Sequence, residues 1–284
     1  MLRKEIGLFL AFLITQSVSA QDDLLSEIDQ DDSDHRTTSV FKSLKIINLE
    51  STKLAARKDF FLVISHRFGF INSGFDNFFG LDNANTRIHM IYGLSDDFNV
   101  HVSRSGFNKT YEAGVKYKFI SQKEQGIPLS MVYFGSMSIN TAWDKELLPE
   151  LNFSHRLAYV SQLLVSRKFS NYLSLELAPS YLHENLVLED NQTNSQFALG
   201  VGGRLKLTSR TSLNLDYLYH VNRTNSSGFR NPLSIGVDIE TGGHVFQLHF
   251  TNSYAMHESG FIGQTTGDWQ KAEISFGFNL IRVF

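Results

Sequence analysis

His89, His101, Ser103 and Glu112 are the residues whose types and spacing come closest to supporting chemistry. An imidazole between a hydroxyl and a carboxylate is the arrangement of a serine hydrolase, and two imidazoles with a carboxylate can ligate a metal or a haem iron. Their convergence follows from alternation. Ile88, Met90, Tyr92 and Leu94 alternate with Arg87, His89 and Gly93, and Phe98, Val100 and Val102 alternate with Asn99, His101 and Ser103, the period of strands with one apolar and one polar face. With Ser95-Asp96-Asp97 as a turn, Leu94 pairs with Phe98, which sets His89 across from Ser103 and diagonal to His101. A tight turn at Phe107-Asn108 then sets Glu112 opposite Ser103. The hydrolase order fails on this register: Ser103 lies between His89 and Glu112, only His101 could bridge it to the acid, and no oxyanion-hole segment accompanies it. No catalytic residue, cofactor or metal ligand is assigned; the expectation is a hydrogen-bonded polar cluster without enzyme activity.

The elements that position this cluster are strands. Segments with the same period fall at roughly 60–70, 85–94, 97–106, 109–120, 128–140, 153–168, 171–184, 194–208, 211–221, 232–240, 243–254 and 270–284. Long connections near 71–84, 141–152, 185–193, 222–231 and 255–269 mostly alternate with short ones, Phe107-Asn108 being the exception. An even count with this asymmetry predicts an all-β fold: a closed, antiparallel, up-and-down transmembrane β-barrel of about twelve strands, short turns toward the periplasm and long loops outside. Periodicity alone would also fit a soluble sandwich or a lipocalin-like barrel. The membrane alternative is favoured by strands of ten or more residues, by Tyr and Phe at strand ends, and by the C-terminal alternation Phe276, Phe278, Leu280, Phe284. That last segment reads as an assembly signal for the barrel assembly machinery, with outer-membrane lipid around the finished wall.

If the apolar face meets lipid, the polar face lines a lumen. Candidate lining cations and imidazoles are Arg87, His89, His101, Lys116, Arg204, His220 and His249. Ser103 joins them, with the acids Glu112, Glu176, Asp216 and Glu273. Both signs are well represented, which favours a salt-bridge network over a filter for one ion sign. A barrel of about twelve strands lies between filled small barrels and wide porins, and inward loops could close it.

At 284 residues with 42% hydrophobic and 19% charged residues, the chain has material for one large barrel. Arg3 and Lys4 precede an apolar run ending in Val18-Ser19-Ala20, so residues 1–20 read as a signal peptide. Residues 21–39, rich in Asp, read as an acidic disordered leader, and 40–284 as the barrel, with strands from about 60. No later apolar run is long enough for a spanning helix. With no Cys and a net charge of -3, neither a disulfide framework nor a nucleic-acid partner is expected.

Longer phrases add to this pattern: Ser65-His66-Arg67-Phe68-Gly69, Ser166-Arg167-Lys168, Ala178-Pro179-Ser180-Tyr181-Leu182-His183, Gly242 through Leu248, and Phe276-Gly277-Phe278-Asn279. Together they resemble a bacterial β-barrel family catalogued as domain of unknown function five-seven-seven-seven, over roughly residues 40–284. The resemblance implies the outer membrane of a Gram-negative cell and carries over no catalytic residue. The expected role is a porin-like passive channel or transport barrel for small solutes. The alternatives are a closed structural barrel binding an envelope protein partner and, more remotely, an outer-membrane hydrolase.

Overall fold

The computed structural model describes residues 39–284 apart from 125, 147, 188–191 and 225. The signal segment 1–20 and the leader up to residue 38 therefore lie outside the described residues. Twelve antiparallel strands close into one barrel, each paired with its neighbours in sequence and β1 with β12 at the seam. They are β1 (Phe60–Phe70), β2 (Ala84–Ser95), β3 (Phe98–Ser105), β4 (Tyr111–Ile120), β5 (Ser130–Ile139), β6 (Leu157–Lys168), β7 (Leu173–Glu184), β8 (Ser195–Lys206), β9 (Thr211–His220), β10 (Leu233–Thr241), β11 (His244–Thr251) and β12 (Ser275–Val283).

Alternation decides which face each side chain takes. In β7, Leu173, Leu175 and Leu177 are exposed on the outside while Ser174, Glu176 and Ser180 are buried inside. The same holds around the wall: Val201, Leu215, Ile235 and Leu248 are exposed, and Gln196, Asn214, Ser234 and Gln247 are buried. A sandwich or lipocalin would turn its apolar face inward. Here the apolar face is outermost, the distribution of a wall surrounded by lipid. No helix among the described residues is long and apolar enough to cross a membrane.

Short connections gather at one end of the barrel. Asp96 and Asp97 join β2 to β3, and Gly242 and Gly243 join β10 to β11, with Gly243 at φ 86°, where glycine carries no side-chain clash. The opposite end carries the longer loops, again except at β3–β4, where a single 3-10 turn, Phe107–Lys109, makes the connection.

The sequence reading left open whether inward segments enter the barrel, and two of them do. Residues 39–56 precede β1 and fold inside as a finger, with Lys45 and Glu50 bridged across its tip. Val40, Phe41, Leu44, Ile46, Ile47, Leu49 and Leu54 of this finger are all buried. From the loop end, the connection between β11 and β12 also turns inward and forms a short helix, α1 (Glu258–Gly263), buried at every residue. This is why β11 stops at Thr251 and β12 starts only at Ser275, short of the 243–254 and 270–284 read from periodicity. Glu273 consequently stands in the connection ahead of β12, where its side chain accepts a hydrogen bond from the Asp268 N–H, and not on a wall strand.

The wall is shaped to receive the finger. Inward positions are apolar where it packs: Val63, Ile91 and Ile281 enclose Leu44 and Ala55, and Val132, Phe134, Leu164 and Ala178 enclose Leu54. At the finger base, a Cβ on Gly93 would stand 1.9 Å from the Ala56 carbonyl oxygen. Only glycine lets the chain pass there, and Lys58 N–H donates to the Gly93 carbonyl at 2.8 Å to fix the crossing.

Candidate functional site

Alternation and turn geometry place the histidine cluster where the sequence predicts it. His89 pairs with Ser103 and Ser103 with Glu112. The rings of His89 and His101 meet at 5.0 Å between centroids, and His101 Nδ1 lies 4.0 Å from Glu112. The hydroxyl of Ser103, however, accepts from Arg87 Nε at 3.0 Å. The ring nitrogens of His89 and His101 have no hydrogen-bond partner in the protein. Ser103 therefore makes no hydrogen bond to either histidine of the cluster, and among the described residues no group of three or more His, Cys, Asp or Glu is disposed to hold a metal ion.

The organising feature is a chain of six charges that links wall, finger and inward loop. Glu112 on β4 accepts from Arg87 on β2 at 2.7 Å, and Arg87 reaches Glu258 of α1 at 3.3 Å. Glu258 pairs with Lys45 of the finger. Lys45 in turn meets Glu50 at 2.8 Å, and Glu50 meets Lys116 on β4 at 3.0 Å. Acid and base alternate along the chain, and each interior member has a partner on both sides. Arg87 also donates to the Met256 carbonyl at 2.6 Å, which anchors the start of the inward loop to the wall.

The electrostatics of the plug residues follow from this pairing. Burial by itself would raise the carboxyl of Glu50, but Lys45 and Lys116 outweigh it and hold the group well below the usual carboxylate range. Burial is likewise overcome at Glu258, where Lys45 and Arg87 keep the carboxylate ionised. Lys45 is the mirror case: desolvation pulls it down, and the attraction of Glu258 and Glu50 raises it above the ordinary lysine value. At His257, beside Glu258, burial and then the Arg87 charge outweigh the attraction of Glu258 and push the imidazole down to about 3.

A second contact set holds the fingertip. The carboxylate oxygen Oδ2 of Asp216 accepts the backbone N–H groups of Ile47, Asn48 and Leu49 at 3.1, 2.7 and 3.0 Å. The Asn48 side chain donates to Ser234 and Thr251 at 2.9 and 3.1 Å and accepts from Arg67 at 3.0 Å. Lower in the finger, Glu176 accepts the Thr52 N–H at 3.0 Å, and the Thr52 and Ser166 hydroxyls touch. On the loop side, Ser259 of α1 and Ser138 of β5 bring their hydroxyls to 2.9 Å. Leu49 of the finger, Phe261 and Ile262 of α1, and Val160, Leu182 and Leu218 of the wall share one apolar cluster, so the two inward segments also meet through hydrocarbon.

These contacts pack the middle of the barrel. At the turn end a space of about 360 Å³ opens beside the finger base, lined by Thr52, Lys53, Asp59, Asp96 and Lys118 among others. The cavity bordered by Glu50, His89, His101 and Lys116 holds only about 10 Å³, close to the minimum for one water molecule.

Of the lining residues read from sequence, Arg87, His89, His101, Ser103, Glu112, Lys116, Glu176, Arg204, Asp216, His220 and His249 are buried on the inner face. Arg204 stands apart from the central chain, pairing with Glu240 at 2.6 Å. His220 is also remote, with Nε2 2.8 Å from Gln196. Phe276, Phe278 and Leu280 lie on the outward parity of β12, and the exposed ring of Phe284 packs on Phe60 and under Arg282. Sequence reasoning missed Lys45, Glu50 and Glu258, along with Asn48 and Arg67. One signal was available: residues 40–55 are rich in large apolar side chains yet have no period of two, so they suit a packed interior and not a strand.

Comparison with known proteins agrees with this architecture. A family described as "Membrane bound beta barrel domain (DUF5777)" matches residues 41–284. Among curated proteins no sequence matches. The solved NanC porin is similar in fold, with a TM-score of 0.50 at 6% identity over 79% of this chain and 98% of that one. The KdgM porin (TM-score 0.49, 8% identity, 79% and 99% covered) and the COG4313 outer membrane channel from Pseudomonas putida F1 (0.48, 11%, 89% and 99%) are also similar.

Proposed function

We propose a function from the premise that this chain belongs to the DUF5777 family of membrane-bound β-barrel domains: it is an outer-membrane transport barrel held shut by a two-part plug. The short turns face the periplasm, so the finger enters from the periplasmic side and α1 descends from the cell surface. The chain performs no catalysis in this reading; small solutes pass when finger and loop part.

The supporting observation is the six-charge chain at the plane where the two segments meet. Burying ions is costly, and replacing buried pairs by hydrocarbon is often neutral or stabilising. A plug meant only as permanent filling would be better made of the leucine and phenylalanine that surround it. Charges at a junction behave differently, because each half can be rehydrated when the halves separate. The polar contacts thus fit a junction that opens, with the apolar contacts setting how rarely it does so.

Two pairs of hydroxyls allow a reversible test, since the chain has no Cys of its own. Thr52→Cys with Ser166→Cys ties the finger to β6, and Ser138→Cys with Ser259→Cys ties α1 to β5; touching hydroxyls bring the β-carbons near disulfide range. In planar bilayers the unmodified protein should show rare, discrete openings. Each oxidised pair should abolish them, and a reductant should restore them. Openings that persist through both locks would sink the plug reading. A barrel silent under every condition, with its strands intact by circular dichroism, would leave the closed structural barrel standing instead.

A further inference from the structure

The fingertip contacts contain a second arrangement that plugging does not require. Arg67 is 1% exposed, and its Nη atoms meet only neutral oxygens, those of Asn48, Asn279 and the His66 carbonyl. Its Nε has no partner in the protein. Asp216, 2% exposed, is met by the three fingertip N–H groups. The buried guanidinium and the buried carboxylate thus bond only to neutral groups and attract each other without a direct ion-pair contact. A single residue stands between them: Asn48 gives its N–H to Asp216 and its carboxamide oxygen to Arg67.

We propose that Arg67 and Asp216 form a binding site for zwitterionic solutes, α-amino acids and short peptides, and that Asn48 occupies this site as a built-in stand-in while the barrel is shut. The proposal rests on the transport reading and names the solute class for it. The donor and the acceptor of Asn48 are separated by a few bonds, close to the spacing of ammonium and carboxylate in a free amino acid. A zwitterion would set its ammonium on Asp216 and its carboxylate on Arg67, replacing two neutral contacts by two charge-assisted ones. A sugar or polyol offers only what Asn48 already offers. Ser234, Thr251 and Asn279, inward on β10, β11 and β12, sit beside the pair and supply hydroxyl and amide groups for the rest of the molecule. Five consecutive strands, β9 to β12 and then β1 across the seam, hold the site, so it persists when the finger leaves.

The test uses the full chain carrying Lys45→Glu, which sets like charge against Glu50 and Glu258 and favours the open barrel. Single-channel current is recorded while L-alanine is added, with 2-amino-1-propanol, propionate and glycerol as comparators that lack one charge or both. Half-maximal block should need about tenfold less alanine than any comparator, from the strength of charge-assisted bonds. Adding Arg67→Gln or Asp216→Asn, each close in size to the original, should remove that preference, with strand content checked by circular dichroism. Equal block by all four compounds, or a preference that survives both substitutions, overturns the site. If Lys45→Glu never conducts, the transport reading falls, and the site is then judged by the thermal midpoint of Asn48→Gly, which frees Arg67 of the stand-in's carboxamide: alanine must raise it where the comparators do not, and no difference overturns the site as well.

Discussion

Replacing Glu258 by Gln perturbs the junction at its centre with almost no change of volume. In the intact cluster three acids, Glu50, Glu112 and Glu258, balance three bases, Lys45, Arg87 and Lys116. Glu258→Gln leaves one buried positive charge uncompensated, shared between Lys45 and Arg87. Breaking a buried pair in this way costs about 3–5 kcal/mol, equivalent to a shift toward the open state of roughly a hundredfold to a few thousandfold. Losing only the Ser138–Ser259 hydroxyl contact, as in Ser259→Ala, should cost about 1 kcal/mol and change opening by roughly fivefold. The double change Glu258→Gln with Lys45→Met restores balance, because Glu50–Lys116 and Glu112–Arg87 remain as matched pairs. Its open probability should fall back toward the original value. The assay is single-channel open probability in planar bilayers, arranged as a double-mutant cycle. If Glu258→Gln opens no more often than the unmodified protein, or if the double variant opens as much as the two singles combined, ion pairing is not what holds the plug shut.

Gly93→Ala should lower the thermal midpoint and expose the 56–59 region to protease, because the added carbon collides with backbone at the finger base; a thermal scan and limited proteolysis read both effects. The pH response has two parts, both favouring opening as pH falls but in different windows. Glu50 and Glu258 are held below the ordinary range, so their contribution is complete above the free-carboxylate value of about 4.3 and disappears only as pH falls through the lower plugged values. His257, pushed down to about 3 in the plugged state, returns to about 6.5 when hydrated, so a displaced loop takes up a proton that the seated loop refuses. Between about pH 6.5 and 4.5, opening should therefore rise with acidity by up to tenfold per unit, and His257→Phe should flatten that rise; an unchanged slope in the variant would rule out this imidazole. Phe284→Ser, at the end of β12 against Phe60 and Arg282, should reduce the amount of assembled barrel in outer membranes several-fold with little effect on the plug, measured by membrane fractionation.

The wall was legible in the sequence because a period of two is a local property: it fixed which faces pair and even set Glu112 opposite Ser103. The plug was not, for reasons of range. Asn48 finds Asp216 across 168 residues, and no local pattern announces such a contact. Apolar residues on the polar parity, such as Phe134, Leu164 and Leu182, are buried against inward segments, yet in the bare sequence they only blur the alternation. Glu273 shows the same limit from the other side. Its spacing continues the β12 alternation back toward the loop, but its N–H donates to the Asp268 carbonyl and its carboxylate accepts the Asp268 N–H, so it closes a turn of the connection and does not join the wall.

The finger leads directly into β1, and β1 is one side of the seam that completes the cylinder. A segment so placed packs most readily while the shell is still open. Its apolar side chains touch β2, β5, β6, β7 and β12, contacts that form one by one as a sheet curls. The expected course of first assembly is that of a mandrel: the sheet wraps round the finger and the last hairpin closes over it. A polypeptide cut between residues 56 and 60 should then build its wall more slowly even if both pieces are supplied together.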